Sequence, residues 1–387
     1  MRSMGSRTWL IVALSLALTL VVAACGGAPA PTPTTAPKAA EPTKPAAPAA
    51  ATAPAAPAAT KAPATAATPA AAAPTAATKV SLPPLKSDKS LWPKAVSVGT
   101  ASMGGTNYIA GGALAKVFEK MGVQAAPEVT GGSIQNPQLI QSKQIQFANI
   151  AQGSAYDAWN GTGWAKSKHT DIRSLFGVLP QWQHGWALAK SGIKSYRDLN
   201  GKTASGGPAG GTSDLYLKQF TELLGIKLSK VSAASYADTT GLLKDGLVDA
   251  VSTSAGVPHP SAAEIASTQD TVVFGFTPDD VKKIVEKYPS QAAGQIAANT
   301  YKGQTQPVDS VADWVAFFCH KDMPEDFVYE FVKAVFENKE MLVSVHKAMA
   351  DTTEANVKTV TLPMHPGAYR YFVEKGIPMS PLAKPVQ

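Results

Sequence analysis

Three glycine-rich loops carry the chemistry that this chain can offer. They are Gly99-Thr100-Ala101-Ser102-Met103-Gly104-Gly105-Thr106, Thr130-Gly131-Gly132-Ser133 and Gly206-Gly207-Pro208-Ala209-Gly210-Gly211-Thr212-Ser213. Each follows a short stretch that reads as a strand and precedes a segment with helical apolar spacing. Glycine lets a backbone approach a ligand closely. The first amides of a helix lack intrahelical acceptors and sit at the positive end of its dipole. Such loops suit a carboxylate or another small anion. One loop alone would be a tight turn. Three of them, divided between two halves of a chain, point to a shared cleft.

Other chemistries fail on spacing. Gly201-Lys202-Thr203 lacks the upstream glycine of a phosphate-binding loop, because Tyr196 stands there, and Lys202 enters a strand rather than a helix. No Gly-x-Ser-x-Gly elbow is present. The six histidines (His169, His184, His259, His320, His346, His365) show no zinc spacing. His259 and His365 precede prolines in turns, and a local turn role is expected for His365. Cys319 stands in the apolar run Val315-Ala316-Phe317-Phe318 and reads as a buried small hydrophobe. Catalysis, a metal and a cofactor are therefore not expected.

The elements that position the loops alternate strand and helix, the pattern of α/β layers. Val96-Ser97-Val98 is a strand, and Ile109, Ala113, Leu114, Val117, Phe118 and Met121 line one helix face. Val129 ends a second strand. Asn136 is a plausible helix cap, with Pro137 at the first helical position. Ile145–Ile150 is a third strand. After a long loop, Trp186–Ala189 is expected to cross to the second half. There Gly201-Lys202-Thr203-Ala204-Ser205 is a strand entry that leads into the third loop and a helix bearing Tyr216, Phe220, Leu223 and Leu224. A helix ending at Gly246 precedes a strand over Asp249–Thr253 and the Gly256-Val257-Pro258 turn. Val311–Cys319 returns, and Pro324-Glu325 opens a final apolar helix.

The N-terminus is of another kind. Arg2 and Arg7 precede an uncharged run from Trp9 to Val22, which is short for a span of roughly 20 apolar residues. Val22-Ala23-Ala24-Cys25 then resembles the lipobox of bacterial lipoprotein signal peptides. That resemblance implies cleavage before Cys25 and acylation of its thiol, with the bilayer as partner. More than one acyl chain would give a stable anchor. Beyond it the chain is almost wholly Ala, Pro and Thr as far as about residue 84. Such a composition cannot bury enough apolar surface to offset chain entropy. A tether of about 55 residues reaches roughly 45 Å as a coil and about 170 Å extended. Six of the 35 basic residues and one of the 28 acids lie within residues 1–82, so the remainder carries a net of only +2. No basic stripe marks a nucleic-acid partner.

The stretches VSVGTASMGGTNYIAGGALAKVFEK (96–120), EVTGGSIQN (128–136), SAYDAWNG (154–161), GIKSYRDLNGKTASGGPAGGTS (192–213), LLKDGLVDAVSTSAGVP (242–258) and LPMHPGAYRYFVEKG (362–376) occur in this order. In this the chain resembles the TAXI group of solute receptors, which serve TRAP-type transporters. The resemblance implies an α/β, two-lobed periplasmic-binding-protein fold of the second type, with two cross-over strands and a ligand cleft between lobes. The expected divisions are a signal peptide at 1–24, a tether at 25–88, one lobe from 89–187 with 310–387, and a second from 188–309. It implies an extracytoplasmic, lipid-anchored monomer. That monomer would capture a small organic anion, such as a glutamate-like amino acid or a dicarboxylate, for a TRAP-type permease. The residues carried over are Gly104, Gly105, Thr106, Asn107, Tyr108, Gly132, Ser133, Asn136, Gln152, Gly210, Gly211, Thr212, Gly256, Val257 and Pro258.

The chain departs from the family at Ala151-Gln152-Gly153, where members often carry Gln-Ser-Asp and so an acid in the cleft wall. Pro137 also interrupts a helix that is usually regular. Trp182, His184 and Trp186 make the expected lobe crossing more aromatic than usual. Trp182 and Trp186 could stack on a flat ligand or simply pack. A ligand-sensing module or an extracellular enzyme on the same fold is the alternative, because fold does not fix function. Replacing the acylation site tests the anchor: Cys25→Ala should move the protein from the membrane fraction to the soluble extracytoplasmic fraction, and continued flotation with membranes would refute it.

Overall fold

The computed structural model describes residues 82–386. The signal peptide, Cys25 and the tether up to residue 81 lie outside the described residues. The tether's expected end at 88 needs correction. Ser87 Oγ, the Asp88 amide and Trp92 Nε1 all donate to the Asp326 carboxylate, at 3.1, 3.0 and 2.7 Å, and Arg370 donates to the Pro83 carbonyl. Residues 83–92 are thus held against the folded body by buried polar partners that composition does not reveal.

The chain then runs through β1 (Ala95–Gly99), α1 (Thr106–Lys120), β2 (Gln124–Glu128), α2 (Asn136–Gln141), β3 (Phe147–Ala151) and α3 (Gln152–Asn160). The long strand β4 (Ile172–Leu188) leaves this lobe. The second lobe holds β5 (Thr203–Ser205), α4 (Thr212–Leu223), β6 (Lys230–Ser232), α5 (Tyr236–Lys244), β7 (Ala250–Ala255), α6 (Pro260–Thr268), β8 (Thr271–Phe274), α7 (Pro278–Lys287) and β9 (Ala292–Ile296). A second long strand, β10 (Val308–His320), returns. The first lobe is completed by α8 (Glu325–Glu337), α9 (Lys339–Val345) and α10 (Pro366–Glu374).

All ten strands form one sheet, ordered β2-β1-β3-β10-β4-β7-β5-β6, with β8 on β4 and β9 on β10. β1 pairs in parallel with β2 and β3, and β5 with β6 and β7. β4 and β10 run antiparallel to each other and to the flanking strands β7 and β3. Each half is therefore a small parallel sheet with an antiparallel strand inserted from the other half. This is the type II periplasmic-binding-protein topology. The central parallel strand β3 is buried along its whole length, as expected of a strand covered on both faces.

Apolar side chains divide accordingly. One cluster draws on residues 96–179 and 315–383, with Phe118 and Phe331 stacked at 3.8 Å and Phe147, Phe317 and Phe327 around them. Two others draw on residues 182–311, one around Tyr196, Phe220 and Phe276, the other around Trp186, Tyr236 and Val251. Cys319 is fully buried in the first cluster.

β4 begins at Ile172, well before the strand expected at Trp186. Gly177 and Pro180 interrupt the strand signal, and Gln181, Gln183 and His184 break its apolar pattern. Proline survives in a strand where the ladder is irregular, and β4 has register shifts against β10 beside Val315 and Phe317. β4 changes partner from β10 to β7 at Trp182, ahead of the expected boundary at 187.

At this crossing Asp313 of β10 lies opposite Gln181 of β4. Its Oδ2 accepts from the Gly153 amide of α3 at 3.0 Å and from the Tyr216 hydroxyl of α4 at 2.9 Å, one donor from each lobe. Burial pushes the Asp313 carboxyl up to about 7, against the pull of these donors. The folded state therefore binds this proton more tightly than the unfolded chain, whose carboxyl titrates near 4. The resulting stabilisation is full below about pH 4 and is lost as pH rises through about 7. Asp313→Asn should remove this slope. The melting temperature of the wild type, measured relative to that variant, should fall between pH 5 and pH 8. The subtraction cancels the buried histidines, and a flat difference would show that Asp313 does not titrate in this range.

Candidate ligand-binding site

A small cavity of about 40 Å³ lies where the two lobes meet. Two helices open onto it. Gly105 is the N-cap of α1 and Gly211 the N-cap of α4, both in extended conformation, and neither helix has a side-chain cap. Among the described residues no hydrogen bond takes up the amides of Thr106 and Asn107 or of Thr212 and Ser213. These are the first turns of helices 15 and 12 residues long, one from each lobe. Their dipoles add to the free donors in favouring an anion.

The lobes touch around this space. Thr106 Oγ1 donates to the Gly256 carbonyl at 2.9 Å, and Ser261 Oγ donates to the Gly104 carbonyl at 3.3 Å. A Cβ on Gly211 would stand 3.8 Å from the Gly131 carbonyl across the gap. Gly132 has φ +77° and Gly210 has φ +74°, a conformation that glycine tolerates without strain. Gly211 has φ −77°, so its role is clearance rather than a left-handed turn.

Of the expected site residues, Gly105, Thr106, Asn107, Gly132, Ser133, Gly211 and Thr212 line the cavity. The others lie elsewhere. Gly104 packs on the Ala237 backbone, and Tyr108 lies in the first turn of α1 without lining the cavity. Asn136 does not cap α2. Its amide instead donates to the carbonyls of Thr100 and Asn149, both at 2.9 Å, and so ties the first two loops to β3. Gln152 donates to the Thr359 carbonyl. The Gly210 amide donates to Asp214, which is also paired with Lys218. Gly256 is a contact between lobes, and Val257 and Pro258 lie beyond it, off the cavity wall.

Trp182 and Trp186 are packing residues. Trp186 is fully buried against the His259 ring at 4.9 Å, and the Trp182 ring lies over Gly294. His365 keeps its turn role, its Nδ1 accepting from the Gly367 amide.

Sequence reasoning missed Gln181, Ser213, Tyr236 and Ser254. Ser213 ends the third loop and could have been included among the site residues. Gln181 was hidden in the stretch read as a long loop. Tyr236 closes one wall, its ring near Gly105 and Gly207, and its hydroxyl accepts from Thr253 at 3.0 Å. Burial raises its pKa, so it stays a neutral phenol. Oδ1 of Asn107, Oε1 of Gln181 and Oγ of Ser254 are buried without a hydrogen-bond partner. No Asp, Glu, Lys, Arg or His is among the described residues lining the cavity. The arrangement binds by amide donors, helix dipoles and neutral polar side chains.

Fold and site together define a two-lobed α/β protein with a cavity between the lobes. The NMT1-like family model matches residues 98–376, and the chain belongs to the NMT1-like family. Solved structures with a similar chain course include MatC from Rhodopseudomonas palustris with bound malate, 14% identical, covering 74% of this chain and 97% of that one at a TM-score of 0.48. A second is the substrate-binding protein of an ABC uptake transporter from Streptococcus pneumoniae with bound histidine, 13% identical, covering 67% and 94% at a TM-score of 0.42. A third is an ancestral arginine-binding protein bound to arginine, 15% identical, covering 66% and 97% at a TM-score of 0.39.

The clearance at Gly211 can be tested directly. A valine there keeps an allowed backbone, but its methyl groups enter the gap toward Gly131. Gly211→Val should leave the melting temperature of the free protein nearly unchanged and weaken solute binding by about tenfold or more. Calorimetry with whichever acid stabilises the wild type measures this, and an unchanged affinity would remove the gap from the site.

Proposed function

We propose that this protein is an extracytoplasmic receptor that captures a small organic anion and delivers it to a membrane transporter. The observation that carries this reading is the pair of uncapped helix N-termini, α1 from one lobe and α4 from the other, facing one cavity. A solute held by both sets of amides binds the closed arrangement better than an open one, so it shifts the population toward closure. The cavity wall supplies hydrogen bonds and dipoles but no general base beside a nucleophile, which favours capture over turnover. The motif order shared with the TAXI group supports a TRAP-type permease as the partner. The Val22-Ala23-Ala24-Cys25 motif supports a lipid anchor, with the Ala/Pro/Thr-rich segment as spacer.

Mass spectrometry of small molecules released from protein purified without refolding identifies the solute. Thermal shift then tests its class. A small carboxylate or sulfonate at 100 times its Kd should stabilise the protein by about 2.7 kcal/mol through mass action. Stabilisation by neutral sugars alone would refute the anion reading, and turnover of the bound acid would favour an enzyme.

A further inference from the structure

The neutrality of the cavity wall restricts the solute more than its helix ends do. Resting on the receptor reading above, we infer that the solute is a small hydroxy acid, an anion with a neutral hydroxyl and no amine, and that Gln181 reads the hydroxyl.

Two sets of groups belong to the residues that line the cavity, and they ask for different things. The amides at the starts of α1 and α4 are donors and take an acid group. Gln181 Oε1, Asn107 Oδ1 and Ser254 Oγ are buried without partners and come from three elements, β4, α1 and β7. A carboxylate is an acceptor only, so it cannot satisfy the two amide carbonyls. A solute that offered nothing but carboxylates would leave these acceptors buried and unpaired, which is costly. With the amides oriented as they are here, a solute that carries a donor as well as its acid group is favoured.

That donor is a hydroxyl rather than an ammonium. A buried ammonium calls for a carboxylate beside it, and none lines the cavity among the described residues. Two acids beside cavity-lining residues are already engaged. Asp313, across the ladder from Gln181, takes the Gly153 amide and the Tyr216 hydroxyl. Asp214 takes Lys218 and the Gly210 amide. A hydroxyl both donates and accepts, so it fits a primary amide whichever way round that amide is turned. Gln181 is 1% exposed and sits on the strand that crosses between lobes, so its side chain is held by both halves of the fold.

The test uses matched acids that differ at one position. Calorimetric titration of the purified full chain compares propionate, lactate and alanine, then succinate, malate and aspartate, then glutarate, 2-hydroxyglutarate and glutamate. The expected result is one skeleton whose hydroxy member binds about tenfold or more tightly than both its amino and its unsubstituted members. Gln181→Met, close to isosteric, should cut the preference for hydroxyl over hydrogen to about threefold or less, with the unsubstituted acid affected little. An amino member binding as tightly as the hydroxy member would overturn the inference while leaving the receptor for organic anions intact. A full preference retained in Gln181→Met would remove Gln181 from the role. Binding of none of the nine would instead count against the organic-anion reading itself, and the hydroxy-acid inference would fall with it. If Gln181→Met fails to fold, the wild-type series decides the class unaided.

Discussion

The ladder between β4 and β10 is the constraint on which the rest of the molecule depends. Nine residues of β10, Ala312 to His320, pair with Trp182 to Ile172 of β4. At one end these strands are flanked by β3, and at the other by β7, β8 and β9. Each lobe thus has its sheet completed by a strand that also belongs to its neighbour. A shift of one residue in this register would exchange buried and cavity-facing side chains in both lobes at once. It would turn Gln181 away from the cavity and Asp313 away from Gly153 and Tyr216. The two bulged positions beside Val315 and Phe317 absorb the extra residues of β4 and hold the register between them.

From this ladder the cavity follows. β1 and β3 lie on one side of it and β5 and β7 on the other, and each parallel strand hands its chain to a helix at the same edge. The starts of α1 and α4 meet because both follow strands that point toward the gap. Polar side chains then lock the loops to their strands. Asn136 joins the first loop to β3 through the Thr100 and Asn149 carbonyls, and Ser133 Oγ accepts from the Ala151 amide. Ser213 Oγ does the same in the second lobe by accepting from the Ser254 amide. The glycines provide space, and these short side chains provide position.

Much of this was legible in the sequence because it rests on local rules. The helix beginning at Thr106, the αL glycine at Gly246, the buried Cys319 and the glycine loops are each written within a few residues. What was not legible depends on neighbours far along the chain. β4 is a strand despite Gly177 and Pro180 because β10 and β7 pair with it over its length. Trp182 and Trp186 were candidates for the cleft because aromatic residues near a crossing can face either way. Only the partner strands decide, and they turn Trp186 into the core beside His259. Gln181 and Tyr236 entered the site from segments with no glycine signal at all. The anchoring of residues 83–92 by Asp326 and Arg370 spans more than two hundred positions and leaves no local trace.

The absence of charge among the described residues lining the cavity suits the closure proposed for the lobes. An ionic wall would bind an acid strongly but would also hold counter-ions and water, and its cost of desolvation would recur at each closure. Backbone amides fixed at helix starts are already oriented and lose little freedom when a solute arrives. Where the fold does bury an ionisable carboxyl at the crossing, as at Asp313, it surrounds it with a neutral phenol and an amide rather than a cation. Asp214, next to the third loop, is paired with Lys218 at 2.7 Å and takes the Gly210 amide. Discrimination between solutes is then left to neutral groups with fixed geometry, and such groups separate ligands by which hydrogen bonds they leave unmade.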